Sequence, residues 1–376
     1  MKSSFRLGSI GGIEIGVHFS WLFIFALITW SLADSFYPDR YAGWTTATYW
    51  FLGAVSAIML FVSVLIHELA HSFVAKTRGI EVQGITLFLF GGVSNLKSES
   101  KSARDEFAIS IVGPLTSAGL AVAFLVIRLL VADSNAPGAA ILDYLWFVNA
   151  AVAVFNILPG FPLDGGRVLR SIIWGRTGSL VRATNVASFV GQSFGWALIL
   201  VGVYLLLAAD LFSGLWFAFI GWFLNSAAAA TRRDLLMREA MSDVHVRQLM
   251  DSEPTMVSPD LTVDELVRGY FLRLGLRAAP VSTFERLVGF VSLTDVKKVP
   301  QEAWPTTRVD AIMTTGHIYD VSPDSTLSDA LALMGERDIN QLLVREGDAL
   351  VGMLNRASVL RYLQSMKELG IGRLGR

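Results

Sequence analysis

His67, Glu68 and His71 form an H-E-x-x-H run. On a helix, residues four apart share a face, so the two imidazoles can bind one metal ion. Glu68 lies beside them, placed to take a proton from water activated by that ion. The surrounding stretch, FLGAVSAIMLFVSVLIHELAHSFVAKT over residues 51–77, is apolar and long enough to cross a bilayer. Ionisable groups at that depth are costly and by default mark function. The competing reading is two histidines bonded to each other or reaching for the interface.

Zinc held by two histidines needs at least one more protein ligand and an open position for water. The chain has 0 Cys, which excludes thiolate ligands, disulfides and thiol nucleophiles. The third ligand must therefore be His or a carboxylate. Of the 5 His, only residues 67 and 71 lie close in sequence. His18, at the entry to the first apolar run, reads as an interfacial polar residue. His245 and His317 fall in a soluble tail and read as surface positions. Asp164 is the best candidate. It lies in NILPGFPLDGG (156–166), where two prolines break a helix at or near membrane depth and a carboxylate needs a partner. Its alternative role is a helix cap before Gly165 and Gly166.

The elements that must position these groups are membrane helices. The chain has 376 residues, 53% hydrophobic and 17% charged, with a mean hydropathy of +0.52. A net charge of −1 gives no basic field for a nucleic acid polymer. The fold class is a polytopic α-helical membrane protein with a membrane-associated β hairpin. About six spans are predicted, over 18–34, 48–76, 107–131, 141–158, 186–208 and 211–230. The first has no cleavage site and reads as a retained helix. Lys2 and Arg6, the Lys76–Arg104 cluster, Arg167 to Arg182, and Arg232, Arg233 and Arg238 all fall on one set of loops, with Arg40 the exception. This bias predicts a multi-pass cell-membrane protein with both termini cytoplasmic and the His pair toward the cytoplasmic side. Residues 5–20 read as a short hairpin or strand leading into the first span. Residues 80–96 read as a second, Gly-interrupted hairpin: either a free edge for an extended peptide, or an ordinary surface hairpin. Gly113-Pro114 in the third span reads as close packing with a kink.

After Arg233 the composition becomes that of a soluble protein. VRQLMDSEPTMVSPDLTVDEL (246–266) recurs as VDAIMTTGHIYDVSPDSTLSDAL (309–331), and LVGFVSLTD (287–295) as LVGMLNRAS (350–358). The period, from Met250 to Met313, is about 63 residues. Each unit reads strand, helix, strand, strand, helix.

HELAH together with NILPGFPLDGG resembles the site-2 protease family of intramembrane zinc metalloproteases, over residues 5–230. The resemblance implies that His67, His71 and Asp164 bind one Zn2+, that Glu68 is the general base, and that Asn156 contacts substrate backbone or the developing oxyanion. LFGGVS is similar to that family's membrane-reentrant β loop, which implies substrate contacts at Phe90, Gly91, Gly92 and Val93. In GPLTS (113–117) many relatives carry Asn where this chain has Ser117, so no role carries over to that position. The tail resembles a pair of CBS domains, an α/β module that senses adenine nucleotides such as ATP. It implies ribose and phosphate contacts at Thr294 and Asp295; the matching Ala357 and Ser358 depart from the pattern. The alternative is a folding and dimerisation module without ligand.

The expected organisation is a membrane-embedded protease domain (1–233), a linker (234–244), and CBS repeats at 245–306 and 307–376. The expected activity is cleavage of transmembrane segments in single-span membrane proteins, within membrane lipid, modulated by nucleotide, with a homodimer formed through the CBS pair. The alternative is a CBS-gated transporter or channel with a metal site. It predicts charges spread along several spans, which are nearly bare apart from the His/Glu cluster and Arg128.

Overall fold

The computed structural model describes residues 5–369 apart from 90, 97–99, 132–135, 243, 285, 317 and 348. The chain divides into two compact units, Met1–Arg233 and Asp234–Arg376.

The first unit opens with strands β1 (Phe5–Ile10) and β2 (Ile13–Val17), then helices α1 (Ser20–Arg40) and α2 (Thr46–Thr77). Strands β3 (Val82–Phe88) and β4 (Gly91–Leu96) follow, then α3 (Ala103–Leu130), α4 (Pro137–Ile157), α5 (Asp164–Thr177), α6 (Leu180–Leu207) and α7 (Leu211–Ser242). Among the described residues, 6 helices are long and apolar enough to span a bilayer: all of these except α5. The first span runs further than the apolar run predicts. It passes through a π-helical turn at Leu32–Phe36 and ends at Arg40. Leu32, Ala33 and Tyr37 are buried against Tyr49 and Leu52 of α2, and the Tyr37 hydroxyl lies 2.5 Å from Ser56 Oγ. That packing carries the helix past Asp34.

The two predicted hairpins form a single sheet of order β1-β2-β3-β4. β2 and β3 pair in parallel, from Glu14 with Gly84 to Val17 with Leu87. The sheet is held on the helices by a core of Ile13, Ile80, Val82 and Ile85 with Leu69 and Ala75 of α2 and Ile109 of α3. This core lies around the second histidine of the motif in sequence, so one apolar cluster ties sheet, α2 and α3 together.

In the second unit the helix of repeat one begins with a Thr262 capping box at Val263–Glu265 and continues as a π-helix over Leu266–Leu272 (together α8). β5 (Ala278–Thr283), β6 (Arg286–Ser292) and a one-turn α9 (Leu293–Val296) complete it. Pro300 disfavours helical backbone at the residue before it, consistent with the early stop. Repeat two has β7 (Asp320–Val321), α10 (Leu327–Glu336), β8 (Gln341–Glu346), β9 (Ala349–Asn355) and α11 (Arg356–Glu368). The leading strand of repeat one is reduced to one parallel bridge, Val257 with Val281. The opening segments are exchanged. Val244 and Val246 pack into the core of repeat two, and Val309 and Ile312 pack into that of repeat one.

Candidate metal centre

α2 carries His67 and His71 one turn apart, both buried. The break between α4 and α5 returns the chain to them. Asp164 is the first residue of α5, and the N-cap, Leu163, supplies no side-chain cap. The turn is tight enough to require glycine. A Cβ on Gly165 would stand 2.2 Å from the Ile157 carbonyl oxygen, and one on Gly166 would stand 2.4 Å from the Gly160 carbonyl carbon. Asp164 therefore does not cap its helix; its carboxylate turns to the histidines.

His67 Nε2 and Asp164 Oδ2 are 3.1 Å apart, His71 Nε2 and Asp164 Oδ2 3.2 Å, and the two Nε2 atoms 3.1 Å. The opposite ring nitrogens are held from α3. His71 Nδ1 lies 2.5 Å from the Ile109 carbonyl oxygen, and His67 Nδ1 lies 2.9 Å from Ser117 Oγ. A carbonyl oxygen only accepts, so His71 carries a proton on Nδ1 and, as a neutral imidazole, presents a lone pair at Nε2. That lone pair faces a second imidazole nitrogen and a carboxylate oxygen. Such a triangle of acceptors is repulsive unless a cation or a shared proton lies among them.

The donor set fits zinc. With bonds of about 2.0–2.1 Å, a tetrahedral ion has ligand–ligand edges of about 3.3 Å, close to the triangle observed. The outward-facing ring nitrogens have the hydrogen-bond partners that ligating histidines ordinarily have. Gly113 makes the space: a Cβ there would lie 2.2 Å from His71 Nε2 and 2.6 Å from His67 Nε2. Gly113 is a close-packing position, as its sequence suggests, and what packs on it is the pair of imidazoles. The glycine leaves room for both rings, and α3 continues through Pro114 as one helix.

α5 is fixed to α3 by a buried ion pair. Arg170 Nε donates to Glu106 Oε1 at 2.6 Å, and the Arg170 guanidinium stacks 5.2 Å from the Phe161 ring centroid. α3 thus holds both histidines from one side and the aspartate's helix from the other.

Glu68 Oε2 accepts a hydrogen bond from Ser94 Oγ of β4 at 2.8 Å. Gly91 opens β4 at φ 127, a left-handed conformation that favours glycine. Gly92 packs on Glu68, where a Cβ would meet Cγ at 2.5 Å. Val93 points away and is exposed. Phe90 lies outside the described residues, as does His317. Asn156 is half-buried in the last turn of α4 rather than in the irregular stretch, and no described hydrogen bond joins it to the triad. His18 bonds Ser20 Oγ through Nδ1 at 2.8 Å, and His245 is exposed in a bridge to Thr326; neither joins the metal-ligand cluster.

In the second unit Thr294 is exposed and Asp295 is buried. Asp295 Oδ2 accepts from Ser292 N at 3.0 Å and Ser292 Oγ at 2.7 Å, and Oδ1 accepts from Lys298 Nζ at 2.8 Å. Burial alone would raise its pKa, but these contacts to Lys298 and Ser292 hold it below the ordinary aspartate range.

Comparison with known proteins decides the family. The peptidase family M50 model matches residues 55–133 and 131–200, and the CBS domain model matches 246–302 and 309–365. "Putative zinc metalloprotease sll0528" of Synechocystis is 34% identical over 97% of this chain and 97% of its own length. The chain belongs to peptidase family M50. "Putative zinc metalloprotease Rip3" of Mycobacterium tuberculosis is 35% identical, covering 96% of this M50 peptidase and 93% of its own length. The solved site-2 protease of Methanocaldococcus jannaschii is 27% identical, covering 61% of this chain and 95% of that one, with a TM-score of 0.43. This M50 peptidase is a zinc metalloprotease built from a multi-pass helical membrane unit and two CBS domains. The transporter reading is set aside.

Proposed function

We propose that this M50 peptidase cleaves transmembrane segments of single-span membrane proteins. His67, His71 and Asp164 hold one zinc per chain, and Glu68 is the general base. The observation that carries the reading is the triangle of His67, His71 and Asp164 acceptor atoms at 3.1–3.2 Å, with a glycine in place of any side chain beside it. Zinc, when bound, supplies Lewis acidity toward the attacking water and the scissile carbonyl. Glu68 takes the water's proton and delivers it to the leaving amine. Asn156 stabilises the developing oxyanion. A transmembrane helix hides its peptide bonds in internal hydrogen bonds, so the substrate must unwind. The edge of β4 at Gly91, Gly92 and Val93, with Phe90 before it, offers replacement backbone bonds to the unwound segment.

The proposed domains are a protease unit (1–233), a linker (234–244) and CBS repeats at 245–306 and 307–376, with both termini cytoplasmic. The CBS pair binds an adenine nucleotide, with Thr294 and Asp295 at its ribose, modulates proteolysis and supports a homodimer. Asp295 accepts two hydrogen bonds at Oδ2 and one at Oδ1, so Oδ1 keeps an acceptor site for a ribose hydroxyl.

The test is paired purification of wild type and Glu68→Gln in detergent, with zinc content and cleavage of a panel of single-span proteins. Zinc near one per chain in both, with cleavage reduced by about 10²–10⁴ in the variant, is expected. Wild type without zinc after metal supplementation would overturn the proposed site. Zinc-loaded wild type that cleaves no panel member, with or without ATP, would overturn the substrate class.

A further inference from the structure

The two oxygens of Glu68 are not equivalent. Oε2 accepts from Ser94 Oγ at 2.8 Å, and Ser94 Oγ lies 3.2 Å from Ser72 Oγ. Ser72 is on α2 one turn beyond Glu68 and is 0% exposed. A carboxylate only accepts, so Ser94 spends its single proton on Glu68 and accepts the Ser72 proton in turn. The chain of donors therefore runs from Ser72 to Ser94 to Oε2, with the second contact the shorter and stronger. Among the described residues Oε1 has no such donor; its neighbour is the backbone of Gly92, where a Cβ would lie 3.4 Å from it.

Gly92 and Ser94 are two apart on β4, so both face α2. One strand thus boxes the Glu68 side chain, with a bare backbone against Cγ and Cδ and a hydroxyl on one oxygen. β4 is also the last strand in the sheet order, with a free edge among the described residues.

We propose that Ser94, backed by Ser72, is a positioning residue that makes Glu68 Oε1 the proton-accepting oxygen and ties the base's rotamer to the strand that receives substrate. The inference rests on the reading of Glu68 as general base. In the reaction the water oxygen bonds the scissile carbon while its proton passes to Oε1. That proton then moves from Oε1 to the amine nitrogen as the C–N bond breaks. Ser94 keeps its own proton throughout and holds Oε2.

The experiment compares wild type, Ser94→Ala, Ser94→Thr and Ser72→Ala for zinc content, kcat and KM on a cleaved substrate, and affinity for a simple hydroxamate. A hydroxamate chelates the metal and gives its own proton to the same carboxylate, so it reads the base without peptide cleavage. Ser94→Ala should lower kcat and hydroxamate affinity by about ten- to a hundredfold, with KM and zinc content unchanged. Ser94→Thr should restore most of both, and Ser72→Ala should show the smaller loss. Wild-type kcat and hydroxamate affinity in Ser94→Ala would overturn the proposal, as would a change confined to KM or zinc content. If the wild type binds hydroxamate but cleaves nothing, the substrate reading fails while the hydroxamate series still tests Ser94.

Discussion

Two aspartates each stand in the first turn of a helix in this protein, Asp295 buried and Asp164 half-buried, and they meet opposite fates. Asp295 stands in the first turn of α9 and accepts from Ser292, three residues before it, and from Lys298, three residues after it. Asp164 is the first residue of α5, leaves its own helix uncapped, and reaches residues 97 and 93 positions away. Local partners can satisfy a carboxylate at little entropic cost, and a site so satisfied exerts no demand for a ligand. The three acceptors around Asp164 have the reverse character. They are brought together by packing, the two histidines are already bonded on their far nitrogens, and the facing atoms need a cation or a shared proton among them. Perturbed groups of the second kind are better evidence for chemistry than buried groups of the first.

The contrast can be broken most sharply by replacing each aspartate with alanine. Asp164→Ala should lose zinc and all cleavage, read as metal per chain after gel filtration. Wild-type zinc content in that variant would place the third ligand elsewhere. A step down, Ser117→Ala removes the partner of His67 Nδ1 and should weaken zinc binding by about tenfold, measured by competition with a chelator. Unchanged affinity would mean that the histidine's orientation is set by burial alone. The smallest effect belongs to Asp295→Ala. It should leave zinc content untouched and destabilise the CBS unit by about 1 kcal/mol through loss of the Ser292–Asp295 capping box, read from thermal unfolding of the full chain. Asp295 is held below the ordinary aspartate range in the fold, so its contribution is present at neutral pH. That contribution fades as pH falls through the lowered value, and the gap between wild type and variant should close in acid.

The H-E-x-x-H helix was legible because its chemistry is local: two imidazoles one turn apart need only a helix to converge. Asp164 was legible because a carboxylate between helix-breaking prolines at membrane depth lacks a local partner. Ser117, the Ile109 carbonyl and Gly113 were not legible as parts of the centre. Their relation to His67 and His71 depends on how α3 crosses α2, and nothing in the spacing of either helix encodes that crossing. In the sequence Ser117 stands out only as a departure from the family pattern, although its hydroxyl lies 2.9 Å from His67 Nδ1. The sheet shows the same limit. Both hairpins follow from alternation and glycines, but the parallel pairing of Ile15 with Ile85 joins strands that α1 and α2 separate. In the tail the repeat was plain, whereas the exchange of opening segments was hidden, since Val246 and Val309 are apolar in either arrangement.

Gly113 also supplies a criterion for sorting relatives by activity. Because even a methyl group there would collide with both imidazoles, a chain could keep both histidines, the glutamate and the aspartate and still fail to hold them as they stand here. Inspection of the four familiar residues would pass such a chain as a peptidase. A side chain at this one position would instead mark it as a pseudoenzyme, free to retain the fold and its membrane contacts for another purpose.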